Sequence, residues 1–233
     1  MRTYLNQKYI TGVVIVLFAT VFLSCESEGD SVGISGITYF PTFEFAEGDF
    51  ITIPLGTTFT PAAKVTEGDK ELDSTIDNPV DKDKVGVYDV VYSALNSDGY
   101  SGTATQSVMV YDPDGITADL TGTYSGTVVR NGSEGYSDVP VTLTPLEGVP
   151  GVYTISDWIA GFYSDGRDYG SAYHFEGFIQ ITNTNEVLLL SMGNVWGDPF
   201  DGVVGTYDPG TKTISYTASW LGIYDFVVNI TLN

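Results

Sequence analysis

The sequence predicts an all-β protein built from two successive modules: an antiparallel β-sandwich, then an eight-stranded antiparallel barrel or sandwich. Three observations carry this. Residues beyond position 24 are rich in Thr, Val, Ile, Tyr, Phe and Gly, while runs of the helix formers Ala, Leu, Glu and Lys are missing. Val85, Val87, Asp89 and Val91 alternate with Gly86, Tyr88, Val90 and Tyr92, the period of two that a pleated strand imposes. Turn-forming clusters recur at short spacing, from EGD at 47–49 to DPG at 208–210, which is the punctuation of strands joined to their neighbours.

Met1–Lys8 carries Arg2 and Lys8 and no acid, and residues 10–23 are almost wholly apolar. That run is shorter than the roughly 20 residues needed to cross a bilayer core, so it reads as a secretory leader. It closes with Val21, Phe22, Leu23, Ser24 and Cys25, the only cysteine. The stretch resembles the lipobox of bacterial lipoproteins. The resemblance implies that residues 1–24 are a signal peptide, that the Cys25 thiol receives a diacylglycerol, and that the freed amine is acylated with a palmitate-like chain. One acyl chain holds a protein only marginally, whereas two or three hold it firmly to a bilayer. Glu26, Ser27, Glu28, Gly29 and Asp30 follow. Acidity at that place resembles the surface-export signal of lipoproteins in Gram-negative gut anaerobes that forage on glycans, and implies an outer-membrane protein facing the exterior. The plainer reading of residues 25–36 is a flexible polar tether.

Without residues 1–24 the chain holds seven basic and thirty acidic residues, a net charge of −23. Such a field repels phosphate backbones and excludes nucleic acid as a partner. It repels anionic lipid as well, so the acyl anchor must make the bilayer contact. A single cysteine rules out a disulfide framework and a thiolate metal site.

In the first module, segments 37–45, 49–56, 62–68, 85–96 and 101–112 read as strands, separated by EGD, EGDKEL and NSDGYSG. IPLGTTFTPAA (53–63), GVYDVVY (86–92) and the Asp98–Val110 stretch resemble the bacterial Ig-like modules of cell-surface proteins. The resemblance covers residues 37–112 and implies an Ig-like β-sandwich acting as a spacer or presentation module. The core disulfide and Trp of antibody domains are missing. Residues 73–84 hold Asp73, Asp77, Asp81 and Asp83 without the order of a calcium loop, and read as a solvated loop.

YDPDG (111–115) marks the module boundary, with residues 113–115 as a linker. No cofactor is implied. Ca²⁺ is the one cation an acidic surface suits, and Asp112 and Asp114 are its candidate ligands, set against the commoner reading of Asp-Pro-Asp-Gly as a turn. Over 116–233, eight segments read as strands: 121–130, 139–146, 151–157, 172–182, 186–193, 201–208, 212–219 and 223–232. TYDPGTKTI (206–214) is a plain hairpin. LTGTYSG (120–126) together with this hairpin resembles the lipocalin-like C-terminal modules of glycan-uptake (Sus-like) lipoproteins. That resemblance implies oligosaccharide, an outer-membrane transporter or other surface lipoproteins as partners.

The sole histidine, His174, lies between Tyr173 and Phe175, and no nucleophile elbow surrounds any serine, so no catalytic residues are assigned and the protein is read as a non-enzyme. Binding has a firmer motive. All three tryptophans fall in the second module, two of them in SDWIAGFYSDGRDYGSAY (156–173) and MGNVWGDPFDG (192–202). Sugar rings offer apolar C–H faces edged by hydroxyls, which suit aromatic platforms rimmed by polar groups. Trp158, Tyr163, Arg167, Asp168, Tyr169, Asn194, Trp196 and Asp198 are therefore the candidate ligand-binding residues. Two other readings stand beside this one: the aromatics fill or cap a barrel, or the protein is a structural or adhesion subunit with no small ligand.

Overall fold

The computed structural model describes residues 38–232. The expected leader, the acylated Cys25 and the tether lie outside the described residues. The fold is all-β, as expected: an Ig-like sandwich followed by an eight-stranded antiparallel barrel.

In the sandwich, β1 (Thr42–Glu44), β3 (Lys64–Glu67) and β4 (Lys70–Glu71) form one sheet, and β2 (Phe50–Pro54), β5 (Thr75–Asp77), β6 (Gly86–Leu95) and β7 (Ser101–Tyr111) form the other in the order β2-β7-β6-β5. β2 runs parallel to β7, and the remaining pairs are antiparallel. The alternation of β6 decides its faces. Val90 and Tyr92 enter the core with Val108, against Phe43, Phe45, Ile51 and Ile53, while the Asp89 carboxylate, on the opposite face, accepts a hydrogen bond from the Ser107 hydroxyl. β4 and β5 fall where a turn and a solvated loop were expected. Every residue of both is exposed, so backbone pairing such as Thr75 with Ser93 holds them, and no hydrophobic pattern marks them in the sequence.

The barrel follows an up-and-down course through β8 (Gly122–Arg130), β9 (Glu134–Pro145), β10 (Val152–Ile155), β11 (Gly177–Ile181), β12 (Val187–Met192), β13 (Phe200–Asp208), β14 (Thr213–Trp220) and β15 (Tyr224–Leu232). β15 returns to pair with β8. Between β12 and β13 the ladder thins to an isolated bridge, Glu186 with Thr206, so the barrel is nearly but not fully closed. Turn chemistry sets the hairpins: Asp208 accepts bonds from the Gly210 amide and the Thr211 hydroxyl, fixing the DPGT turn.

Residues 113–115, expected as a linker, are tied down along their length. The side chain of Gln180, wholly buried, donates to the carbonyls of Asp112 (2.7 Å) and Pro150 (3.0 Å) and accepts from the Asp112 amide (2.9 Å). Gly115 bridges to Thr182, and the Asn183 amide donates to the Asp114 carbonyl. A Cβ on Gly115 would lie 2.0 Å from the Pro150 oxygen, so only glycine fits there. Beside the junction Met109, Val149, Val152 and Leu190 form a small buried cluster with Val85, Val87, Tyr111 and Phe178 at its margin, and the Phe50 and Phe178 rings stack at 5.7 Å. The two lobes share a core. As for the proposed calcium carboxylates, Asp112 Oδ1 caps its own turn by accepting from the Asp114 amide. Among the described residues no group of three or more His, Cys, Asp or Glu has the arrangement to hold a metal.

Candidate functional site

Following the strands away from the junction leads to the opposite end of the barrel, where β8 ends, β9 begins, and the connections 156–176, 193–199 and 221–223 meet. The first part of 156–176, through Ser164, does not stand out into solvent. It folds down into the barrel as a plug. Trp158, Ile159, Ala160 and Phe162 have no exposed surface and Tyr163 has 6%; they pack with Phe175 from the end of the same connection and with Tyr124, Tyr216, Trp220 and Phe226 from the wall. Gly126 of β8 makes room, since a Cβ there would come 2.9 Å from that of Ala160. The inserted segment turns at Gly161, whose φ of +69° is left-handed and whose missing Cβ would strike Val139.

The plug is bonded as well as packed. The Trp158 indole N–H donates to the Ser191 carbonyl (3.1 Å), its own carbonyl accepts from the Tyr216 hydroxyl (2.8 Å), and its amide donates to the Phe175 carbonyl. Because Ser191 lies on β12 and Tyr216 on β14, Trp158 bridges the side of the barrel where the β12–β13 ladder is missing. Asp157, 2% exposed, accepts from the Ile159 amide at 2.8 Å. Burial pushes its carboxyl from an ordinary 3.8 up to about 6. A group so enclosed and so occupied serves the loop and has no route to a substrate. The lumen is therefore filled, which removes Trp158 and Tyr163 from any contact face: both are core residues. The interior of an eight-stranded barrel is just wide enough for side chains, and here the inserted loop supplies many of them.

Above the plug a face remains open. Trp196 is 44% and Tyr169 49% exposed. Trp196 meets Tyr163, Tyr173 and Trp220 at ring-centroid distances of 5.1, 5.3 and 5.5 Å, and Tyr169 stacks on Tyr163 at 5.9 Å. These rings are fixed from below. Asn194 holds the Trp196 loop: its side-chain amide donates to the Asp198 carbonyl (2.6 Å), and its oxygen accepts from the Trp196 and Gly197 amides. Asn194 is thus spent on positioning and is not free for a ligand. Asp198 takes part through that carbonyl and is half-buried. Asp168 is exposed beside Tyr169, with φ +57°. A shallow groove of about 400 Å³ runs alongside, lined by Ser171, Ala172, His174, Glu176, Asn194 and Val195.

Arg167 is also occupied. Its guanidinium donates to both oxygens of Glu134, at 3.0 and 2.6 Å, and Arg130 donates to the same carboxylate at 2.7 Å. The Tyr136 hydroxyl adds a fourth donor. The Arg167 hydrogen bonds, first, hold the Glu134 carboxyl below its usual range. Glu134, Tyr136 and Arg130 escaped sequence reasoning because they belong to another hairpin. The available signal was NGSEGY (131–136) directly after Arg130, which brings acid and base together across a turn.

A C-terminal-domain family model matches residues 112–232, more than half of the chain. The protein belongs to that family. The model for the bacterial surface protein Ig-like domain matches residues 43–110, so the family member carries a surface-protein module ahead of its barrel. Neither description names a reaction. Among solved structures, the chain is similar to a lipoprotein from Bacteroides thetaiotaomicron, with 25% identity over 82% of this chain and 100% of that one, at a TM-score of 0.43. No curated protein matches the chain.

Proposed function

We propose that this is a non-catalytic lipoprotein of the bacterial outer membrane, acylated on Cys25 and facing outward, whose barrel mouth binds an oligosaccharide for delivery to a transporter. One observation carries the binding reading: Tyr169, Tyr173 and Trp196 form a pre-assembled aromatic face over the plugged end of the barrel. Exposing large rings is unfavourable unless something covers them, and sugar C–H faces suit rings that are rigid and rimmed by carboxylates. Of the residues expected from sequence, Asp168, Tyr169, Trp196 and Asp198 stay in the contact set. Trp158, Tyr163, Arg167 and Asn194 support it.

The filled lumen favours a second reading, a spacer or adhesion subunit with no small ligand. Isothermal titration against a panel of oligosaccharides, repeated with Trp196→Ala and Tyr169→Ala, separates the two. The binding reading expects heats that both substitutions abolish; silence across the panel leaves the spacer. The anchor is tested apart from this, by mass spectrometry of the N-terminal peptide. An acylated Cys25 at the first position is expected, and a free thiol or a retained leader refutes the placement.

A further inference from the structure

We propose that Glu134 sets the ligand class of the mouth: by holding both nearby arginines it leaves a face that takes uncharged sugars and refuses acidic ones. This rests on the oligosaccharide reading above. Residues 116–233 contain three basic side chains, Arg130, Arg167 and Lys212. Lys212 lies in the β13–β14 turn at the junction end. Arg130 and Arg167 are thus the only cations of this lobe at the mouth, and a uronic acid or sulfated sugar needs one of them free, since planar guanidinium forks are what carboxylates and sulfates pair with.

Neither is free. Both arginines end on Glu134, one at 2.7 Å and one through two bonds at 3.0 and 2.6 Å. Their flat faces are covered too. The Arg130 guanidinium carbon lies 4.8 Å from the Phe162 centroid and 5.1 Å from that of Tyr224; that of Arg167 lies 5.3 Å from Phe162 and 5.7 Å from Tyr163. Besides the buried Asp157, these connections carry Asp165, Asp168, Glu176 and Asp198, with Asp201 at the start of β13 and His174 beside Asp165. An anionic ligand would meet these carboxylates while both arginines of the mouth stay held by Glu134. A neutral sugar would meet stacked rings and carboxylates able to accept its hydroxyl protons.

The test is titration of the intact protein at low salt with neutral hexasaccharides of glucose, galactose, mannose and xylose, and with oligogalacturonate and a heparin-derived hexasaccharide. Binding to a neutral oligomer, with the acidic ones at least about tenfold weaker, is the expected result. Equal or tighter binding of an acidic oligomer overturns the inference while leaving the oligosaccharide reading intact; silence towards every sugar overturns both. Glu134→Gln should release the arginines and raise affinity for the acidic oligomers by about tenfold or more. No gain in a folded variant refutes the role given to Glu134. The wild-type comparison decides the sugar class by itself if that variant does not fold.

Discussion

Trp158 and Trp220 share one aromatic cluster, yet their indole N–H groups differ. That of Trp158 donates to the Ser191 carbonyl, whereas that of Trp220 is buried without a partner. A buried donor left unpaired is unfavourable by about 1–3 kcal/mol, and deleting it relieves that penalty. Trp220→Phe is therefore expected to cost little, the lost ring volume being offset by the relieved N–H. Trp158→Phe, which takes the indole donor from the Ser191 carbonyl as well, should be the more damaging by roughly 1–3 kcal/mol. Chemical denaturation of the two variants checks the order, and equal losses would mean the Ser191 bond contributes nothing. Asp157 supplies a pH signature. Its folded-state carboxyl titrates near 6 against an ordinary 3.8, so the folded state holds this proton more tightly. Its stability contribution is complete below pH 3.8 and is lost as pH rises through 6. Asp157→Asn stays neutral and keeps an acceptor for the Ile159 amide. Its stability relative to wild type should rise between pH 4 and pH 8 by at most about 3 kcal/mol, read from melting temperatures across that range. Carboxyls such as Glu134, whose own shift is downward, are common to both proteins and cancel in the difference.

At the level of elements, most of the strands were legible because one face of each is buried and the other wet. Gly122–Arg130 and Thr213–Trp220 alternate along their whole length. Val187–Met192 does not, since Val187 packs into the barrel and Leu190 into the inter-lobe cluster; a strand covered on both sides loses its period. The plug was harder to foresee. Aromatic and polar residues interleaved between two strands look the same whether the segment rises over a rim or folds inward, and only the tertiary surroundings decide. Gly126 and Gly161 were the sequence's trace of the inward course, visible only once Ala160 and Val139 are seen against them. This gives a prediction for the element. Gly126→Val places carbon where Ala160 already stands and should weaken the fold by about 1–3 kcal/mol through overpacking. It should also raise acrylamide quenching of tryptophan fluorescence. In the wild type Trp196 is the exposed indole while Trp158 and Trp220 are 0 and 4% exposed; a displaced plug would uncover them. Unchanged quenching in a destabilised variant would show that the plug keeps its seat by another adjustment.

Across the whole molecule, the matter is whether spacer and barrel behave as two bodies or one. A Pro/Asp/Gly junction ordinarily announces independent domains, and relative motion is the default when an interface is small and polar. Here the buried Gln180 side chain satisfies the Asp112 amide and two carbonyls at once, and Met109, Val152 and Leu190 continue apolar packing from one lobe to the other. Sequence could not reveal this, because a glutamine in the middle of GFIQI reads as the wet side of a strand. Its partners lie more than 60 residues away in one case, at Asp112. Such a lock would keep the barrel at a fixed attitude to the Ig-like lobe. It also makes the lobes unfold together, so calorimetry of the wild type should give one transition whose van't Hoff and calorimetric enthalpies agree. Gln180→Ala takes the partner from three part-buried backbone groups, and each one that water cannot reach costs up to about 1–3 kcal/mol. The variant should melt in two steps, with the barrel's aromatic near-ultraviolet signal lost in only one of them. A single transition that merely moves to lower temperature would mean that the apolar cluster alone couples the lobes, and that Gln180 contributes stability without contributing cooperativity.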